Sequence, residues 1–369
     1  MEYRKLGKTG LHVSVVGLGT EYLNRRPRKT VVSVVREAIE RGVNYFDIVF
    51  SFPEYRDNLG AAFAGYRDRV ILAGHICTAE TNGHYRMSRD VQENEALFED
   101  LLSRLGTDHV DVLFIQMVNS MEGYQEVVRP GGVLDLAQRL QRDGKTRFVG
   151  MSGHRPAAAL EAVNSGLIDV WMFPINLAWD LSPGRKEVGE ACAARNVGLV
   201  AMKPFAGGKL FQQVERGTVT AVQCLHYVLS QTGVTAAVPG VKNLKQLEAA
   251  LRYAEAAEEE RDFRPILDAF QQDVEGNCVY CSHCLPCPVG IDIASIMRKL
   301  DRALRVRGEA SGEKRAGFYH PPRIRSAAKG ETKRGAKASD CIVCGDCLER
   351  CPFDVDIISR MQQAAELLG

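Results

Sequence analysis

Between residues 13 and 255 one pattern recurs eight times: a short apolar, β-branched run, then a stretch of helical period. The runs read VSVVGLG, VNYFDIV, VILAGHI, VDVLFIQ, RFVGMSG, DVWMFPIN, GLVAMKP and TAAVPGV. Each has strand length and the unbroken hydrophobicity of a strand covered on both faces, as in a parallel sheet. Stretches such as TVVSVVREAIERG, SRDVQENEALFEDLLSRLG, VLDLAQRLQRDG and NLKQLEAALRYAE carry the helical period, and several stop on glycine. Eight such units in roughly 240 residues match a (β/α)8 TIM barrel in number and length. A doubly wound open sheet is the rival, but no GxGxxG opens the first helix. The opening MEYRKLGKTGLHVS reads as a hairpin ahead of the first barrel strand, placed to plug the barrel bottom.

The pattern changes after residue 255, which divides the chain into a barrel at 1–255, a charged helical bridge at 256–275 and a small domain at 276–369. That last part holds two cysteine runs. Cys341, Cys344, Cys347 and Cys351-Pro352 spell C-x2-C-x2-C-x3-C-P, the bacterial ferredoxin signature for a [4Fe–4S] cluster. Cys278, Cys281, Cys284 and Cys287-Pro288 repeat it with the last gap one residue shorter. Eight thiols in two runs suit two [4Fe–4S] clusters. In two-cluster ferredoxins the fourth cysteine of each run serves the other cluster, which would join Cys351 to the first three and Cys287 to Cys341, Cys344 and Cys347. Structural zinc is the alternative ligand, since it also takes four thiolates. IDIASIMRKLDRALR lies between the runs, so a mainly α-helical ferredoxin-like module is expected.

Charge and composition exclude other classes. A formal charge of +1 gives no pull toward nucleic acid or acidic lipid. No apolar run approaches the roughly 18 residues of a membrane span, and MEYRKLGKTG lacks the apolar core of an export signal. Cytoplasm is the expected compartment, where clustered thiols bind metal rather than form disulfides. The basic segment 298–337 is either a solvated linker or a docking face for an acidic electron-transfer protein. Of the remaining cysteines, Cys192 and Cys224 read as core, while Cys77 closes the third strand.

Chemistry in such barrels sits at the C-terminal ends of the strands. Those positions hold Asp47, Gly74, His75, Gln116, Ser152 to His154, Asn176, Lys203, Gly240 and Lys242. A carboxylate, imidazoles, amides and ammonium groups on one mouth can move protons and polarise a small carbonyl or hydroxy substrate. Phe50, Phe52, Phe205 and Trp179 either line a pocket there or pack the rim.

YRKLGKTGLHVSVVGLGT, GVNYFD, LVAMKPFAGGKL and AAVPGVKNLKQLEAAL resemble the aldo-keto reductases, and the paired cysteine runs are similar to a bacterial subgroup with a ferredoxin-like tail. The resemblance implies carbonyl reduction by NADPH through an Asp, Tyr, Lys and His tetrad, in which Tyr gives the proton. Asp47 occupies the Asp position. Phe52 stands where the Tyr is expected, with Tyr55 three residues on; His75 stands for the Lys and Gln116 for the His. In the cofactor clamp, Ser152, Pro239, Gly240 and Lys242 are kept. The Asn after Ser152 is Gly153, the strand-six Gln is Met172, the phosphate-binding Arg is Gln246, and the adenine-binding pair is Ala249 and Ala250. The loss of a bidentate arginine and two further contacts costs NADPH at least about 3 kcal/mol, so ordinary binding of that cofactor is not expected.

Four functions remain open. The first is an oxidoreductase fed by the clusters, with Asp47, His75 and Tyr55 handling protons and Gln116 and Lys203 polarising the substrate. The second is an NADPH-dependent reductase with Tyr55 as donor. The third is a lyase, dehydratase or epimerase using His75, and the fourth a non-catalytic electron carrier.

Overall fold

The computed structural model of the chain describes residues 1–81, 84–177, 184–205, 211, 219–264, 276, 278, 284–285, 287–306, 336–351 and 354–368. Two compact units emerge, Met1–Phe205 with Thr220–Pro265, and Ala206–Val219 with Ile266–Gly369.

In the first unit, β1 (Tyr3–Lys5) and β2 (His12–Ser14) form the antiparallel hairpin that the opening sequence implies. The barrel strands follow: β3 (Leu18–Gly19), β4 (Tyr45–Ile48) and β5 (Ile71–Ile76). A second hairpin, β6 (Thr78–Thr81) with β7 (His84–Met87), interrupts the barrel before its fourth strand. Then come β8 (Val110–Ile115), β9 (Thr146–Ser152), β10 (Val170–Pro174), β11 (Gly198–Met202) and β12 (Val234–Val238). All eight barrel strands pair in parallel, in the ring order β3-β4-β5-β8-β9-β10-β11-β12. The ring closes through parallel bridges from Val16 to Ala237 and from Gly19 to Gly240.

The β6–β7 hairpin was not expected from the helical and apolar periods alone. Its signal is local: Asn82-Gly83, a strong two-residue hairpin dipeptide, falls between the strands.

Alternate residues of each strand face inward. Tyr45, Ala73, Val112, Phe114, Val170, Met172, Val200, Ala236 and Val238 fill the barrel, and Leu6, Leu11 and Val13 of the first hairpin join them. The plug docks at the N-terminal ends of the strands: Lys8 N donates to Asn196 O at 2.7 Å, just before β11. Gly198 makes the close approach possible, because a Cβ there would stand 2.6 Å from Leu6 Cδ1. Full burial of Leu6 contributes about 1.5–3 kcal/mol. With the bottom sealed, the opposite end is the working mouth.

In the second unit, helices Ile293–Val306 and Ile357–Leu368 pack together. Their buried residues recur at helical spacing: Ile293, Met297, Leu300 and Leu304 on one, Ile357, Met361 and Ala364 on the other. Arg360 pairs with Asp301 between them. Among the described residues no helix is long and apolar enough to cross a membrane.

Candidate functional site

Parallel strands place every strand C-terminus on one rim. Glu21 follows β3, Asp47 lies in β4, His75 in β5, Gln116 follows β8, and Ser152 ends β9 with His154 just beyond. Asn176, Lys203 and the Pro239–Lys242 segment follow β10, β11 and β12. Cys77, Met117 and Lys203, each just past a strand end, have φ of 81°, 64° and 59°. Three non-glycine residues in the left-handed region at one mouth are strained turns that redirect the chain where side chains converge.

One wall of the mouth is a buried acid–base pair. His75 Nε2 lies 2.6 Å from Asp47 Oδ1, and the imidazole stacks on Phe114 at 5.0 Å. The side chain of His75 is 2% exposed and that of Asp47 10%, so the carboxyl is the outward member. His75 Nδ1 is buried without a hydrogen-bond partner among the described residues.

Tyr55 stands beside this pair but is committed elsewhere. Its hydroxyl bonds Thr20, whose Oγ1 also donates to Asp47 O at 2.6 Å. Burial, and then the nearby Asp47 charge, push the phenol far above its ordinary range. Release of a proton from Tyr55 is therefore disfavoured. Phe52 precedes the helix Pro53–Phe63, and its ring packs edge-on to Phe50 at 5.3 Å. Buried Arg56 fixes that loop, donating to Phe50 O at 3.1 Å and pairing with Asp100 at 2.8 Å.

The facing wall is built from Asn119, His154 and Lys203. Asn119 Oδ1 accepts from the backbone N–H of His154 at 2.9 Å and from its Nδ1 at 3.1 Å. Two donors on one oxygen settle the tautomer: the ring proton is on Nδ1, and Nε2 accepts from Lys203 Nζ at 2.7 Å. Glu21 feels both walls. Burial raises its carboxyl above the ordinary value, Lys203 pulls it down and Asp47 pushes it up. Gln116 is partly spent, since its Nε2 donates to Thr78 Oγ1 in the β6–β7 hairpin. Arg89 pins the same corner through the carbonyls of Gln116 and Met117, both at 2.9 Å.

Sequence reasoning placed His154 on the rim without a task and missed Glu21, Asn119 and Arg89. Glu21 was visible as the first charged residue after the first strand. Asn119 and Arg89 carry no sequence signal, because each acts across a gap of 27 to 35 residues.

Among the described residues, positions expected to hold NADPH are altered. At Gly153 a Cβ would lie 2.1 Å from Val118 O, so no side chain can stand where the carboxamide partner is expected. Met172 belongs to the core. Gln246 Oε1 accepts the Lys242 N–H at 2.9 Å and so closes its own loop. Cations do remain: Lys242 sits 5.4 Å over the Tyr22 ring, and burial together with Arg26 pushes its ammonium down to about 8. Ser152 is buried at the end of β9, and Pro239 O accepts from Gly19 N at 3.0 Å, holding the ring closed.

In the second unit Cys284, Cys287, Cys341, Cys344 and Cys347 line one apolar pocket with Ile291, Ile293 and Met361. Burial and the neighbouring Cys341, Cys344 and Cys287 push the Cys347 thiol up to about 11. Thiols crowded together in an apolar pocket make a poor core and a good seat for cationic iron, which favours their ionised form. The pocket brings together five of the eight expected ligands, Cys284, Cys287, Cys341, Cys344 and Cys347, and it fits an iron–sulfur cluster by its donors. Cys351 is buried and Cys278 half-buried, whereas Cys281, Trp179 and most of the basic segment lie outside the described residues. Among the described residues no three His, Cys, Asp or Glu groups close on a single metal ion.

Comparison with known proteins places both units. The Aldo/keto reductase family profile matches residues 15–223, and a 4Fe-4S dicluster domain matches residues 277–356. The chain is 24% identical over 311 residues to an uncharacterized oxidoreductase, YqkF, of Bacillus subtilis, covering 74% of this chain and 98% of that protein. It is 28% identical over 230 residues to L-galactose dehydrogenase of Arabidopsis thaliana, covering 58% and 68%. In fold it is similar to the holo form of an aldo-keto reductase from Bacillus halodurans, with a TM-score of 0.62 at 21% identity, over 73% of this chain and 96% of that one. With a profile that spans more than half its length, the chain is an oxidoreductase of the aldo/keto reductase family with a C-terminal 4Fe-4S dicluster domain.

Proposed function

We propose that the barrel reduces a small carbonyl substrate to the hydroxy compound with electrons that reach it through the C-terminal [4Fe–4S] clusters, not from bound nicotinamide. The observation that carries this reading is the pairing of a thiol-lined pocket with a mouth that, among the described residues, offers neither a free tyrosine donor nor a carboxamide seat.

When bound, each cluster supplies one electron at a time. Cys287, Cys341, Cys344 and Cys347 would hold one cluster, and Cys278, Cys281, Cys284 and Cys351 the other. At the mouth, Asp47 presents to the substrate the proton it shares with His75, while Phe114 and the barrel wall keep water from the imidazole. Lys203 polarises the carbonyl oxygen, with its ammonium held in place by His154. Gln116 shapes the corner between them. A small electron-transfer protein is the source of reducing equivalents.

Anaerobic purification with iron and sulfide quantitation, followed by calorimetric titration with NADPH and NADH, tests the reading. The expected result is two clusters per chain and no tight nicotinamide binding. Saturable micromolar NADPH binding, with carbonyl reduction undiminished after the clusters are removed, would overturn it. That outcome belongs to a second reading, a conventional NADPH-dependent reductase, which Lys242 and Arg26 favour as surviving phosphate contacts.

A further inference from the structure

We infer that His154 and Lys203 form a second proton-donating pair across the mouth from Asp47–His75, so that both hydrogens of the product arrive as protons. The substrate class that follows is a carbonyl conjugated with an aryl ring or a second carbonyl. This inference rests on the electron-by-electron reading above.

The balance of the reaction sets the requirement. Hydride transfer brings one hydrogen with its electron pair, so the site needs a single proton donor. If electrons come singly from an iron–sulfur donor, the change is C=O plus two electrons and two protons to CH–OH. The π bond breaks, a C–H and an O–H bond form, and two donors are needed on separate sides of the carbonyl.

The barrel supplies two. In the ring order, β4 and β5 carry one pair and β9 and β11 the other, nearly diametrically opposed. The Asn119 hydrogen bonds fix the His154 tautomer, so the Nε2–Nζ contact at 2.7 Å holds one transferable proton and one positive charge. That charge favours the oxygen end of the reduced carbonyl, and the Asp47–His75 proton then goes to carbon. Glu21, which follows β3 on the same rim, feels the charges of both Lys203 and Asp47. The singly reduced substrate must spread its odd electron, which an isolated ketone cannot do. Half-buried Phe50, Phe52 and Phe205 beside the same strand ends suit a flat, conjugated group.

The test uses the cluster-loaded full-length protein in D2O, Ti(III) citrate as electron source and phenylglyoxylate as probe. Phenylglyoxylate has no exchangeable hydrogen beside its carbonyl. One enantiomer of mandelate in excess, with deuterium on carbon, is the expected product. His154→Gln and Lys203→Met should each lower kcat by about 10²-fold at unchanged iron content and shift the basic limb of its pH profile. Lys203→Arg keeps the charge but offers no proton at working pH, so phenylglyoxylate binding should hold while turnover stays low. Wild-type turnover in Lys203→Arg, or full-rate deuterated product from both other variants, overturns the second donor and leaves the electron route standing. Mandelate formed only with NADPH, carrying protium on carbon, overturns the electron route itself. No mandelate from either reductant overturns the substrate class.

Discussion

The barrel mouth and the thiol pocket handle ionisable groups in opposite ways. At the mouth the facing acid–base groups are paired, Asp47 with His75 and Lys203 with His154. In the pocket five thiols lie together, and the Cys347 thiol is driven upward by burial and then by its neighbours. A paired site keeps its shape without a cofactor, because removing bound water or ligand leaves no buried charge uncompensated. A site of like groups depends on what binds there. The contrast predicts a mouth built by folding and a pocket whose order depends on metal.

The largest test of that contrast is iron removal. Chelation under reducing conditions should abolish reduction driven by Ti(III) and collapse hydrogen-exchange protection in the helices Ile293–Val306 and Ile357–Leu368, whose core adjoins the thiols through Ile293 and Met361. Barrel amides in β5 and β8 should keep their protection. Equal loss of protection in both units would break the comparison.

The second test breaks a pair at the mouth. His75→Leu leaves the Asp47 carboxylate buried alone and should destabilise the barrel by about 3–5 kcal/mol. Asp47→Asn together with His75→Leu removes the stranded charge and should recover part of that loss. Chemical denaturation of the two variants checks the difference, and equal stabilities would mean that the dyad is not coupled. Turnover behaves differently. Asp47→Asn alone should cost about 10²-fold or more with iron content unchanged, and the double variant should not restore it.

The strand–helix period made the barrel legible, because a strand covered on both faces leaves a continuous apolar run such as VDVLFI. The first helix of the second unit was legible for a related reason: Ile293, Met297, Leu300 and Leu304 repeat at the helical interval, whereas Ile357–Leu368 was not singled out. What the periods hid was local or long-range. The β6–β7 hairpin rests on one dipeptide inside a connection and changes no period. Rim residues could be placed by strand end alone, but their pairing could not. His154 meets Lys203 across 49 residues, and the Tyr55 hydroxyl reaches back 35 residues to Thr20. Tyr55 looked available in the sequence because its hydrogen bond is invisible there.

The smallest effect concerns what survives of the anion clamp. Lys242 is 7% exposed, and its ammonium is pushed down to about 8 by burial and by Arg26, from an ordinary value of 10.5. Between those two values the unfolded chain holds the extra proton, so folding gains as pH rises across that window. Anion binding has the opposite sign, since it needs the ammonium and weakens as pH climbs through about 8. Calorimetry with 2′,5′-ADP should give weak binding at pH 7, falling by about tenfold at pH 9, where roughly nine-tenths of the ammonium is lost. Lys242→Met should show the pH 9 affinity at both pH values. Binding that is tight at pH 7 and indifferent to pH would mean that the clamp is carried by Arg26 alone, and the barrel would then retain more of its family's cofactor chemistry than its mouth implies.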